Sequence, residues 1–240
     1  MDIVGPSFGA AVGAIAGRVI QRPSKRVTVN EDRDTFGFGG RPHAVFIPVL
    51  SVDSLDPLDN LDSKNHYSKP YRWVDRQGGC DISRTTFQFV VHAHNATVDI
   101  IGAEPIVEAV TPPPGIALVP PPAGGPMGIR HISIQLDAAT YEHRDLGESV
   151  LVREMDTRNE PPTLLASTLK AGETELFHVE AYALRNSYQW VLQLKILVNG
   201  KERRETLMRK SNRPFVTMRY EDPAIAARYV FDGGEWVSRT

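Results

Sequence analysis

Cysteine is almost absent: Cys80 stands alone among 240 residues. A single cysteine excludes an intramolecular disulfide and any zinc site built from cysteines. Lack of a disulfide framework fits a reducing compartment. Neither sign of charge dominates, with 27 Lys and Arg against 29 Asp and Glu and a net charge of −2. Phosphate recognition needs a concentrated basic surface, so no nucleic-acid partner is expected. Missing too are G-x-x-x-x-G-K-[ST] and H-E-x-x-H, the local signatures of phosphate-cradling loops and zinc proteases. No cofactor is expected, and enzyme chemistry has little to stand on.

What is plentiful is glycine (19) and proline (18), which favours turns and irregular connections over a helical bundle. Near the start, Gly5, Gly9, Gly13 and Gly17 recur at every fourth residue, with mostly Ala, Val and Ile between them. Each glycine costs a helix about 1 kcal/mol relative to alanine. Close packing must offset that cost. Pro6 suits a first helical turn. Gly9, Gly13 and Gly17 then form a shallow groove that another backbone can approach. The uncharged stretch Ile3–Gly17 is 15 residues long, short of the ~20 that span a bilayer. Membrane contact through residues 3–20 stays open beside packing on a helix or on the rest of the chain. Asp2 opens the segment and Arg18, Arg22, Lys25 and Arg26 follow it, the reverse of a secretory leader. The expected location is the cytoplasm, at the inner face of the membrane if residues 3–20 insert.

Three regions are expected: a Gly/Ala-rich helix over 1–23, an irregular lead-in over 24–80, and a β domain over 81–240. Within the lead-in one short strand is expected near Val27. Pro48 argues against a central strand in HAVFIPVLSV. From Asp81 the pattern changes to period two: Thr85, Phe87, Phe89 and Val91 share one face, Arg84, Thr86, Gln88 and Val90 the other. A second strand bends at Gly102 or Pro105. TPPPGIALVPPPAGGPMG, 18 residues with seven prolines, reads as a loop. Alternation resumes at Ile132, Ile134 and Leu136, then in ETELFHVEAYAL and YQWVLQLKILVNG. Asn199-Gly200 marks a hairpin, and Asp232-Gly233-Gly234 a second, smaller one. The fold class is mainly β: an antiparallel β-sandwich, immunoglobulin-like or jelly-roll-like, with a short glycine-zipper helix at its N-terminus.

A set of marks in residues 80–240 resembles the uncharacterised β-rich region of actinobacterial proteins that lies behind helix-turn-helix regulators or transmembrane segments. The marks are Asp81, Arg84 and Thr85 at a strand start, the loop at 111–128, and Leu136-Asp137 at a strand end. Trp190 on a further strand and Arg213-Pro214-Phe215 on its neighbour complete them. The resemblance implies a β-rich fold and no particular activity. Residues 1–80 carry nothing with helix-turn-helix spacing.

Candidate chemistry is sparse. His92 and His94 stand two apart on a strand, so both imidazoles share a face, with His131 or Asp99 as a third metal ligand. Two solvent-facing histidines are the plainer reading. Cys80 needs a nearby base to act as a nucleophile, and otherwise is an inert thiol at a strand start. FGFGG (36–40) lacks the following helix of a dinucleotide site, leaving turn glycines. KERRETLMRK interleaves acids with its five basic residues, as a solvated edge strand does. Ile116, Leu118 and Val119 would give the proline-rich loop an apolar tip for a partner. The leading expectation is a non-enzymatic binding protein with a protein partner or self-association, attached through Gly9, Gly13 and Gly17 to a membrane or assembly. Two alternatives are a metal-dependent enzyme using His92 and His94, and the ligand-sensing domain of a transcription regulator system.

Overall fold

The computed structural model describes residues 27–32, 44–55, 70–119, 130–137, 153–154, 166–209, 212–232 and 235–239. The glycine-repeat segment, with Gly9, Gly13 and Gly17, and the FGFGG turn lie outside these. Along the chain run β1 (Val27–Asp32), β2 (Val45–Ile47), a 3-10 turn (Val52–Ser54) and α1 (Pro70–Arg76). Then follow β3 (Cys80–Ile82), β4 (Arg84–Ala93), β5 (Val98–Val110), β6 (Gly115–Val119), β7 (Arg130–Gln135), β8 (Arg153–Glu154) and β9 (Ser167–Leu169). The chain closes with β10 (Thr174–Tyr182), β11 (Ser187–Val198), β12 (Lys201–Leu207), β13 (Phe215–Met218), β14 (Ile225–Asp232) and β15 (Glu235–Arg239).

These strands make two sheets. One runs β1-β4-β10-β7-β8; the other runs β15-β14-β6-β2-β3-β13-β11-β5-β9, with β12 also paired to β11. The mainly β class is as expected, but the sheets are mixed rather than antiparallel. β7 and β10, β3 and β13, and β6 and β14 pair in parallel. Parallel partners need long crossovers, and each of these pairs is far apart in sequence, where local alternation carries no directional signal.

The alternation of β4 turns Phe87, Phe89 and Val91 inward, against Phe177 and Val179 of β10 and Tyr188, Trp190, Leu192 and Leu194 of β11. One core is thus shared by both sheets. Phe87 stacks on Phe215 at 4.5 Å between centroids, and Trp190 lies 4.8 Å from Phe215. Ile132, Ile134 and Leu136 join it from β7 and its end, as their spacing predicts. β5 bulges at Ile101 beside Gly102, the bend expected there: Gly102 pairs with Lys195 and Ile100 with Ile196. The Asn199-Gly200 turn has positive φ at both residues (50° and 75°), as a type I′ hairpin between twisted strands requires.

Two expectations fail in the other half of the molecule. The proline-rich stretch is not all loop. Residues 115–119 form β6, held between β2 and β14, and Ile116 and Leu118 are fully buried while Val119 is half-buried. They form no exposed tip, because Gly115 to Val119 hold no proline and every N–H there is available to a ladder. Likewise β2 is an interior strand, between β6 and β3. It ends at Ile47, one residue before Pro48, so the missing N–H falls outside the ladder. Strand pairing therefore crosses the 80/81 boundary. The lead-in supplies an edge strand (β1), as expected, but also the interior strand β2. A second core gathers Val45, Ile47, Trp73, Val74, Ile116 and Leu118. Arg209, buried, ties this side together by donating to Asp75 (2.8 Å) and to the Gly79 carbonyl (3.1 Å).

Candidate interaction surface

Two loops meet at one end of the shared core. The first, residues 183–186, joins β10 to β11. Register fixes what receives it: Gln135 pairs with Tyr182, so Asp137 stands just beyond the ladder, level with the departing loop. Its carboxylate accepts the N–H groups of Leu184 (2.7 Å), Arg185 (2.9 Å) and Asn186 (3.3 Å). The Tyr188 hydroxyl donates to Asp137 as well (3.0 Å) and accepts from Asn186 Nδ2 (3.3 Å).

The second loop, residues 219–224, joins β13 to β14 and is braced against the first. Ser187 Oγ donates to Asp222 Oδ2 (2.5 Å) and accepts from the Arg219 N–H (3.1 Å). Arg219 Nη1 reaches the Arg185 carbonyl (3.3 Å), and Asp222 Oδ1 accepts the Ala224 N–H (3.0 Å). The Arg228 guanidinium lies over the Tyr220 ring at 4.3 Å and donates to the Tyr220 carbonyl. Charge-assisted bonds of this kind fix loop backbone without a regular ladder. The braced loops leave in water two large apolar side chains, Leu184 (69% exposed) and Tyr220 (56% exposed), beside the exposed polar residues Arg185, Asn186 and Glu221. A large aliphatic and an aromatic side chain, with Arg185 and Arg219 beside them, suit an apolar partner surface rimmed by acids.

A second polar group lies on the face of β4 and β10 that points away from the core. Gln88 and His178 are each only 2% exposed there. Arg84 Nη1 donates to Glu180 Oε1 (2.9 Å), the Tyr182 hydroxyl donates to Glu180 Oε2 (2.5 Å), and His178 Nε2 comes within 3.7 Å of Oε1. Burial pushes the Glu180 carboxyl up. Its contacts with His178 and Tyr182 and the charge of Arg84 outweigh that and hold it at about 2, against an ordinary 4.5. Burial, then the bond to Glu180, raises Tyr182. A depressed carboxyl favours the folded chain wherever the unfolded chain would bind the proton first. Glu180 thus contributes its full stabilisation above pH 4.5 and loses it as pH falls from 4.5 toward 2. Glu180→Gln is expected to cost about 2 kcal/mol near neutrality, with partial exposure discounted. The gap between parent and variant in urea unfolding should close as the medium is acidified; a gap independent of pH would contradict the ion pairing.

The residues singled out for chemistry are scattered. His92 Nδ1 bonds Thr174 Oγ1 (2.6 Å), and its ring meets that of His94 edge-on at 4.3 Å. In register His131 is opposite His178, which pairs with Gln88, four residues along β4 from His92. Asp99 lies in the other sheet, accepting from Thr168 (2.7 Å). Among the described residues no group of three His, Cys, Asp or Glu could hold a metal ion. Cys80 is buried in β3 among Phe46, Ile82 and Met218. Nothing in the local pattern of 183–186 or 219–224 marks these loops, because their meeting depends on strand pairing between distant segments. Asp137 reads in sequence as a strand end, but its capping role depends on a loop 47 residues away. The chain matches no known protein family, and no curated protein or solved structure is similar to it. Among the described residues no helix is long and apolar enough to cross a membrane.

Proposed function

We propose that this chain is a non-enzymatic binding protein. Its fold is read as a β-sandwich of the immunoglobulin-like or jelly-roll-like kind, and its recognition surface is the loop pair at 184–186 and 219–222. The glycine-repeat segment, with Gly9, Gly13 and Gly17, attaches it to a membrane or assembly. The observation that carries the reading is the pairing of exposed Leu184 and Tyr220 with backbone already fixed by Asp137 and Asp222. A surface ordered before binding loses little entropy when a partner arrives. The partner is a protein whose contact face is apolar with an acidic rim, complementary to Arg185 and Arg219.

Gradient fractionation of cells producing the full chain tests this. The parent should sediment well above its 26.6 kDa monomer. Leu184→Asp with Tyr220→Ser should return it to monomer size with only a small fall in melting temperature, since neither side chain is buried and the contact of Arg228 with Tyr220 is the one described packing interaction that is lost. Removing residues 1–23 should release it from any membrane fraction while leaving the Leu184-dependent complex. A parent that sediments as a monomer, or a double variant that co-migrates with a large parent, would overturn the reading.

A further inference from the structure

β15 ends the ten-stranded sheet, with β14 on one side. Of the five residues Glu235–Arg239, all but Trp236 are exposed. Val237, at the centre, is 50% exposed. Other open edges whose side chains are described are blunted or interrupted. Beyond its pairing with β9, β5 over 101–110 exposes Ile101 but bulges beside Gly102, holds Pro105 and carries Glu104 and Glu108. β9 offers three residues with Leu169 buried, and β12 carries Lys201, Glu202, Arg203, Arg204 and Glu205. Short or densely charged edges resist pairing, whereas an exposed apolar centre invites it.

The charges of β15 choose the occupant. Within the hairpin each end of β15 faces its own sign: Glu235 pairs with Asp232, and Arg239 pairs with Arg228. Like charges directly opposite are destabilising. From these observations we infer that β15 pairs antiparallel with β15 of a second copy of this chain, continuing the sheet across a two-fold axis. Such an axis keeps every side chain on its own face. Val237 therefore stands opposite Val237, Glu235 or Arg239 of the second copy, never opposite Trp236 or Ser238. The register that uses the whole strand is centred on Val237. It sets Val237 against Val237 and Glu235 against Arg239 at both ends. The second copy thus supplies the opposite charges that β14 withholds, flanking an apolar contact on one face. This is a different surface from the loop pair proposed above and does not depend on it.

Five paired residues bury far less than the roughly 1,600 Å² of a standard interface, so the dimer is reversible and concentration-dependent. Sedimentation velocity on the purified full chain, from about 10 μM to about 1 mM, reads it directly. Glu235→Arg and Arg239→Glu should each raise the dimer dissociation constant about tenfold, since each puts like charges across both ends of the new ladder. The combined charge swap should restore it. Neither single variant endangers the monomer, because each replaces a like-charge pair of the β14–β15 hairpin with an opposite one. Their melting temperatures should be equal to the parent's or higher. The Leu184→Asp, Tyr220→Ser double variant should dimerise like the parent. A parent that stays monomeric throughout, a dimer indifferent to either charge reversal, or a charge swap as weak as the single variants would overturn the inference.

Discussion

Gly115→Ala is expected to destabilise the chain by about 3 kcal/mol or more, out of proportion to a single methyl group. Gly115 opens β6, pairs with Ile225 of β14, and donates its N–H to the Ala224 carbonyl (2.8 Å). On the other side β2 passes so closely that an added Cβ would run into the Ile47 carbonyl oxygen and the Phe46 ring. The oxygen belongs to a backbone held in an interior ladder, and Phe46 is fully buried, so neither can swing aside. Accommodation means parting β2 from β6, which breaks into the second core at Ile47 and Ile116. Gly79 repeats the geometry on the α1 side. There a Cβ would come 2.6 Å from the Phe46 carbonyl oxygen and 2.8 Å from Val74 Cγ1. Urea unfolding of Gly115→Ala should show a lower midpoint at an unchanged slope. A loss under about 1 kcal/mol would mean that β2 and β6 are not packed so closely.

The second large effect is expected at Trp190. Its ring sits where the two sheets meet, fully buried, 6.2 Å from Phe87 and 4.8 Å from Phe215. Its indole N–H donates to Thr217 Oγ1 (2.9 Å), which also bonds Thr85 Oγ1 (2.6 Å), so a short polar chain crosses the core between β11, β13 and β4. Trp190→Ala removes the ring and leaves a cavity that rigid strands on both sides cannot close, costing about 4 kcal/mol. Trp190→Phe keeps most of the packing and loses the hydrogen bond, costing about 1 kcal/mol beyond the lost volume. The remaining tryptophans, Trp73 and Trp236, belong to the second core or pack against it, so their fluorescence reports on the far side of the molecule. If both cores unfold as one unit, the fluorescence and far-ultraviolet dichroism transitions of Trp190→Ala shift down together. Separate transitions would show that the region around β2 and β6 unfolds independently.

The fate of the candidate sites separates local from distant causes. His92 and His94 do come together, ring edge to ring face, since two residues on one strand share a side whatever the rest of the chain does. Their third member depends on how β7 meets β10, and that pairing sets His131 level with His178 instead. Asp137 acts on a loop that only the parallel β7–β10 ladder brings to it. Arg84, Gln88 and His178 alternate as solvent-facing residues do, yet their face is closed off, and Glu180 serves as counter-ion to Arg84.

The sequence by itself determined the strands whose signal is local. Period-two alternation in 84–93 divided core from opposite face correctly, because side-chain direction in an extended chain has no other freedom. Both hairpins were equally legible, since Asn199-Gly200 and Gly233-Gly234 leave few ways to connect paired strands. Tertiary structure alone decided the rest. Whether residues 115–119 were loop or strand turned on neighbours 70 residues before and 110 residues after, β2 and β14, that supply their hydrogen bonds. Prolines around the stretch advertised a loop, but five residues with free N–H groups between two waiting edges form a strand. Parallel pairing, the joint core and the meeting of the 184–186 and 219–222 loops have the same origin. Each is fixed by contacts between segments whose spacing along the chain carries no period to read.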